Sequence, residues 1–356
     1  MNRPLSIYLD LLRFTAAIVV FLGHTGTMRI SGGLGYQFTG YGQIAVDVFF
    51  AMSGFVIGYA ADTRERNAAS YAVNRAARVF SVAIPALAFG MVLDRIGHAA
   101  QPELYQKIAT FSTQGMPGQL AVNLLFLGQV WFNAIMPGSN LPYWSLGYEV
   151  WYYAIFGMAA YAAPAWRWPC VAMLLLLAGP KVALYFPLWL IGLAAYHICK
   201  RGPVGPLTGG LFAVLPVAAL LLSHGAGQRG WWPYQAFVAD WSVVSDLWRD
   251  YLAALLVAMN MIGVHALGAR APTMLDRIAP PIRWAAGATF TFYLFHMPLL
   301  NATVALMPWP HDSWQVRTIL FLGIPPLLFL LAEVTERRRD AWRRLFAHAA
   351  PQGQTR

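Results

Sequence analysis

Three residues of the first apolar run carry chemistry that hydrocarbon rarely tolerates: Asp10, Arg13 and His24, in YLDLLRFTAAIVVFLGHTG. Ionisable groups inside a spanning helix are costly and usually mark function. On a helix turning about 100° per residue, Arg13 and His24 lie about 20° apart around the axis, and Asp10 lies within about 60° of both. One stripe therefore carries a carboxylate, a guanidinium and an imidazole. The rise of about 1.5 Å per residue separates Arg13 from His24 by roughly 16 Å, so they would serve two ends of one polar cavity. Asp10 and Arg13 stand at i,i+3 and can pair, which holds the arginine rotamer. The structural alternative is an Asp–Arg pair plus a histidine capping the outer helix end.

Four further segments hold polar groups in apolar surroundings. In VDVFFAMSGFVIG, Asp47 is expected to partner Arg13, Arg75 or Arg78, while Ser53-Gly54 suits close helix packing. In YAVNRAARVFSVAIP, Arg75 and Arg78 at i,i+3 make either a phosphate clamp or positive-inside charge. In LPYWSLGYEVWYY, Ser145 and Glu149 share a helix face beside Trp144, and the aromatics there also fit an interfacial belt. In GATFTFYLFHMPLL, Thr289, Tyr293 and His296 fall on one stripe that ends at Pro298. His98, His197, His224, His265, His311 and His348 have no partner pattern. Cys170 and Cys199 form neither a CxxC nor a Cys/His set, so no metal site is expected. No GxSxG elbow, HExxH helix or Walker A loop is present.

These groups need helices to hold them. Of 356 residues, 58% are apolar and only 11% charged, and the mean hydropathy is +0.50. A soluble domain carries about 25% charged residues. Too few charges remain to solvate a globular surface, which excludes both a disordered chain and an ordinary cytosolic enzyme. The class that fits is an all-α, polytopic integral membrane bundle of about ten transmembrane helices. Candidate spans lie near 6–24, 42–62, 78–97, 119–135, 143–163, 170–199, 207–223, 250–268, 284–304 and 317–334. The 170–199 run, broken at Gly179-Pro180-Lys181, is either one kinked element or two short ones.

The net charge of +10, from 22 Arg and 3 Lys against 15 acids, gathers at residues 64–78 and 337–344. Both clusters read as cytoplasmic flanks, which puts the N- and C-termini in the cytoplasm and makes the span count even. Nucleic acid is not an expected partner, because no basic–aromatic groove pattern accompanies the charge. The expected organisation is a transmembrane domain over 1–335 and a basic cytoplasmic tail over 336–356, whose Trp342, Leu345 and Phe346 would rest on the bilayer surface.

Taken together and in this order, LDLLRF…H, VDVFFAMSGF, RAAR, WSLGYE and FTFYLFHMP resemble acyltransferase family 3, the integral membrane O-acyltransferases. Arg13 and His24 match its Arg-X10-His motif, and Arg75 and Arg78 its RxxR motif. The resemblance implies ten spanning helices and transfer of an acyl group, most often acetyl, from acetyl-CoA to a carbohydrate hydroxyl of an exported glycan. The expected roles follow. His24 is the general base, and Glu149 orients a histidine or the acceptor hydroxyl. Arg75, Arg78 and Arg13 bind acyl-CoA, with Arg13 also polarising the thioester. Asp10, Asp47, Ser53, Trp144, Ser145, Tyr293 and His296 support the site. Acyl-CoA, a carbohydrate or glycolipid acceptor and the bilayer are the expected partners, in the cell inner membrane. The other reading is a glycan or lipid transporter that buries the same charges without acyl transfer.

Overall fold

A computed structural model describes residues 1–108, 111–226, 247–268 and 274–349. The side chain of His224 and tail residues 350–356 lie outside the described residues. All regular elements among the described residues are helical: α1 (Arg3–Thr25), α2 (Gly42–Thr63), α3 (Ala68–Ala100), α4 (Met116–Leu124), α5 (Tyr143–Tyr161), α6 (Pro164–Ala178), α7 (Pro180–Arg201), α8 (Pro206–Ala226), α9 (Leu247–Gly268), α10 (Met274–Ala286) and α11 (Thr289–Leu306). Trp314–Thr318, a π-helical turn at Ile319–Gly323 and Ile324–Val334 then run on as α12, and Arg339–Ala349 forms α13. Among the described residues, seven helices are long and apolar enough to cross a bilayer: α1, α2 with its leading turn, α3, α7, α9, α11 and the helix that includes α12. The chain is a polytopic helical membrane protein.

Two expectations about the spans resolve. Residues 170–199 are two helices, α6 and α7, because Gly179 takes φ +85° and Pro180 starts a new helix. The expected span at 119–135 is not one. α4 stops at Leu124 after nine residues, and the chain then turns repeatedly, with Phe126 at φ 57° and Trp131 at φ 55°. The run is apolar by composition, but Trp131 gives its N–H to Ala178 O rather than to a helical partner.

The chain divides into two compact units. The first comprises residues 1–28, 33–60 and 183–289. Here α2 and α7 meet backbone to backbone: a Cβ at Gly54 would stand 1.9 Å from Trp189 O, and one at Gly192 1.7 Å from Ala51 O. Only glycine permits that approach, which is how small residues pack membrane helices. α1 is tied to α9 by Tyr8, whose hydroxyl donates to Asn260 Oδ1 at 2.5 Å, and Asn260 Nδ2 donates onward to Ala213 O of α8 at 2.8 Å.

The second unit comprises residues 29–32, 61–182 and 290–356. Its axis is α3, begun by Asn67, whose side chain accepts from Ser70 N at 2.8 Å. α11 packs on α3 through Phe295 against Phe89, with ring centroids 5.6 Å apart. α5 is held by Tyr71, whose hydroxyl donates to Tyr153 O at 3.0 Å. The tail helix α13 does not stand free: Phe346 lies against Phe80 of α3, 5.8 Å between centroids.

Candidate active site

In the second unit, residues distant in sequence build one buried polar network. Ser145 on α5 and Tyr293 on α11 share a hydrogen bond of 2.7 Å between hydroxyls. One turn along α5, Glu149 accepts from Tyr153. Arg78 on α3 interacts with Tyr153, Glu336 and Glu149. Glu336, just past α12, caps α11 from outside: its Oε2 accepts from Phe290 N at 2.8 Å and Thr291 N at 3.1 Å. A carboxylate there satisfies two orphan N–H donors and suits the positive end of the helix. The neighbouring Thr335 and Thr291 hydroxyls add a 2.9 Å bond.

Arg75, one helical turn before Arg78, is held separately. Its Nη2 donates to Glu65 Oε1 at 2.7 Å, and Asn74 Nδ2 donates to the same oxygen at 3.0 Å. The guanidinium carbon sits 5.7 Å from the ring centres of both Tyr71 and Tyr153, a double cation–π placement. Glu65 is 3% exposed, so this is a buried pair. Arg75 Nε and Glu65 Oε2 are buried with no hydrogen-bond partner, which leaves capacity for a further ligand group.

The remaining expected residues of this unit support the network. Trp144 is buried edge-on to Tyr148, 5.1 Å between centroids. His296 is fully buried, its Nδ1–H donating to Phe292 O at 2.9 Å and its ring 6.3 Å from that of Tyr293. That bond spends one ring nitrogen on the helix backbone, so His296 stiffens the helix that presents Tyr293.

In the first unit, α1 carries the expected stripe. Asp10 Oδ1 and Arg13 Nη1 are 3.6 Å apart, with side chains 25% and 18% exposed, a loose pair on a half-open face. His24 sits in the last turn, half-buried. Ser53 accepts from Trp189 Nε1 at 3.2 Å, beside the Gly54 crossing, as its packing role requires. The expected arginine partner of Asp47 is replaced. Asp47 is fully buried on α2, and its polar neighbours are Gln43 and Asp250. Gln43 Nε2 donates to Asp47 Oδ1 at 3.3 Å and to Asp250 Oδ2 at 3.4 Å, and Tyr185 donates to the latter oxygen at 2.8 Å. A neutral amide donor thus stands in place of the expected guanidinium, and Asp47 Oδ2 is buried without a hydrogen-bond partner.

Sequence reasoning missed Glu65, Glu336, Tyr153, Gln43 and Asp250. Glu65 lies between Arg64 and Arg66, and Glu336 leads Arg337, so both vanish into cationic runs. A lone acid inside a positive cluster is the signal that would have exposed them.

The arrangement gathers a hydroxyl pair, a carboxylate with its tyrosine, and two arginines, groups that are costly to bury in a membrane protein and usually mark function. The family model described as "Acyltransferase domain" matches residues 6–332. No curated protein and no solved structure matches the chain. A family match over nearly the whole length, with its motif residues on the helices described, places this chain in the acyltransferase family 3 of membrane acyltransferases.

Proposed function

We propose that the protein is an acyl-CoA-dependent O-acyltransferase that moves an acyl group, most simply acetyl, onto a carbohydrate hydroxyl of a surface glycan. The observation that carries this reading is the largely buried network of Arg78, Glu149, Tyr153, Ser145 and Tyr293, all but Tyr153 lying in segments that resemble the family's motifs. Buried charge and paired hydroxyls of this kind stabilise a developing oxyanion and position an acceptor.

In the proposed reaction His24 takes the proton of the acceptor hydroxyl. An imidazole suits that task because its ordinary pKa near 6.5 lies close to neutral pH. The acceptor oxygen attacks the thioester carbonyl carbon, an ester C–O bond forms, and the C–S bond breaks. The thiolate of CoA leaves and is protonated, with the proton held by His24 as its source. Arg13, steadied by Asp10, polarises the carbonyl, Glu149 orients the acceptor, and Arg75 and Arg78 anchor the donor. Transfer through an acyl-histidine balances equally: the C–S bond breaks as a C–N bond to the imidazole forms, that C–N bond then breaks as the acceptor oxygen forms the ester, and the acceptor proton ends on the CoA thiol. By the positive-inside rule, the arginine-rich α2–α3 connection and the tail face the cytoplasm, where acyl-CoA is made, and the membrane is the inner one.

The test is acceptor-dependent release of free CoA by the purified protein, read with a thiol reagent. Stoichiometric CoA release with ester formation supports the reading. A protein that moves glycan or lipid without releasing thiol overturns it.

A further inference from the structure

Arg75 and Arg78 are matched by carboxylates, so they cannot by themselves neutralise all the phosphates of a donor. Glu65 pairs with the first, and Glu149 and Glu336 interact with the second, so two guanidiniums face three carboxylates. The nucleotide end of acyl-CoA carries several phosphates and needs cations in excess. An excess begins one residue past Glu336. Residues 337–344 hold Arg337, Arg338, Arg339, Arg343 and Arg344 against the single acid Asp340. Arg338, Arg339, Arg343 and Arg344 are exposed, and the ion pair of Arg343 with Asp340 is long at 3.7 Å and solvated.

One electrostatic interaction and one ring contact put this charge at the end of α3 that carries Arg75 and Arg78. Glu336, which opens the segment, interacts with Arg78. Phe346 of α13 seats on Phe80, two residues beyond Arg78, and Trp342 packs on Phe346 with centroids 6.0 Å apart. The aromatic side of α13 is thus spent on α3 and on itself, while the guanidiniums face outward.

We propose that the arginine face of α13 is the phosphate-binding surface for the nucleotide end of acyl-CoA. This rests on the proposed acyl-CoA reading. Planar guanidiniums on one short helix make bidentate, charge-assisted bonds to phosphate oxygens, and the thioester arm then extends from α13 toward Arg78 and Glu149.

The experiment compares the full chain with an Arg339→Gln/Arg343→Gln/Arg344→Gln variant by equilibrium dialysis in detergent, with CoA and with pantetheine, which lacks the nucleotide and its phosphates. A variant with the three arginines replaced by lysine serves as the control for charge, and thermal unfolding as the control for fold. The glutamine variant is expected to bind CoA about tenfold or more weakly, the worth of one or two charged hydrogen bonds, with pantetheine binding unchanged. Lysine should restore part of the loss. Unchanged CoA affinity in the folded glutamine variant overturns the proposal. So does a variant that keeps CoA affinity but no longer prefers vesicles of phosphatidylglycerol over phosphatidylcholine, which would make α13 a lipid-facing surface. If the glutamine triple variant fails to fold, the Arg343→Gln and Arg344→Gln single variants decide, each expected to weaken CoA binding alone. Wild-type protein that binds no CoA at all overturns the donor reading itself, a result distinct from a failure confined to α13.

Discussion

Arg75 donates to Glu65 Oε1 across 2.7 Å while its guanidinium carbon lies 5.7 Å from the ring centres of both Tyr71 and Tyr153. The pair joins the connection before α3 to the first turns of α3 itself. It fixes the geometry of one member of the RxxR motif, and it explains why that member cannot be read as a free cation.

Breaking this pair from one side should be costly. Glu65→Gln leaves the guanidinium without its counter-charge in a buried setting, a loss of about 3 kcal/mol, the lower end for such pairs because the two tyrosine rings remain. Thermal unfolding of the purified protein should show a lower midpoint. The Glu65→Gln/Arg75→Gln double variant should be more stable than the sum of the two single changes predicts, and strict additivity would show the pair to be incidental.

Glu336 should matter as a charge and as a cap. Glu336→Ala removes the acceptor of Phe290 N and Thr291 N and should destabilise by about 0.5–2 kcal/mol, as lost helix caps do. Glu336→Gln keeps an acceptor oxygen for those N–H groups but removes the charge facing Arg78. It should therefore recover most of the stability lost in Glu336→Ala. Equal unfolding midpoints for the two variants would contradict the capping role.

The hydroxyl bond between Ser145 and Tyr293 predicts a separation of effects. Tyr293→Phe removes one neutral hydrogen bond, worth about 0.5–1.5 kcal/mol, and Ser145 retains Pro142 O as an acceptor at 3.3 Å. The protein should stay folded by size exclusion while its acyl-transfer rate falls. An unaltered rate would remove this pair from the site.

The α2–α7 crossing gives a purely structural prediction. Gly54→Val sets a Cβ 1.9 Å from Trp189 O and adds two methyl groups behind it. Neither backbone can yield without separating the helices, so folded protein should be lost in a membrane-extraction assay. Normal yield of monodisperse Gly54→Val protein would show that the two helices are not held in this contact.

The sequence was informative where chemistry stayed within one helix. Asp10 with Arg13, Arg75 with Arg78 and Ser145 with Glu149 all fall at i,i+3 or i,i+4 and lie on the helices expected. The long apolar runs became helices because lipid leaves the backbone no other partner. It failed where hydropathy stood in for geometry: residues 119–135 are apolar enough to span but contain the turns at Phe126 and Trp131. It failed again where a contact joins distant residues. Nothing local marks Glu336 as the neighbour of Arg78 or Gln43 as the bridge from Asp47 to Asp250. The role of a carboxylate in a membrane protein depends on which helix it faces, and spacing along the chain carries that only within a single helix.

His24 is the group proposed to take the acceptor proton. Purified wild-type protein and a His24→Ala variant of matched folding should be compared for acceptor-dependent CoA release from acetyl-CoA. Loss of a general base should lower the rate by about 10²–10⁴-fold, with unchanged unfolding midpoint and CoA affinity. A folded His24→Ala protein that releases CoA and forms ester at the wild-type rate would contradict the account.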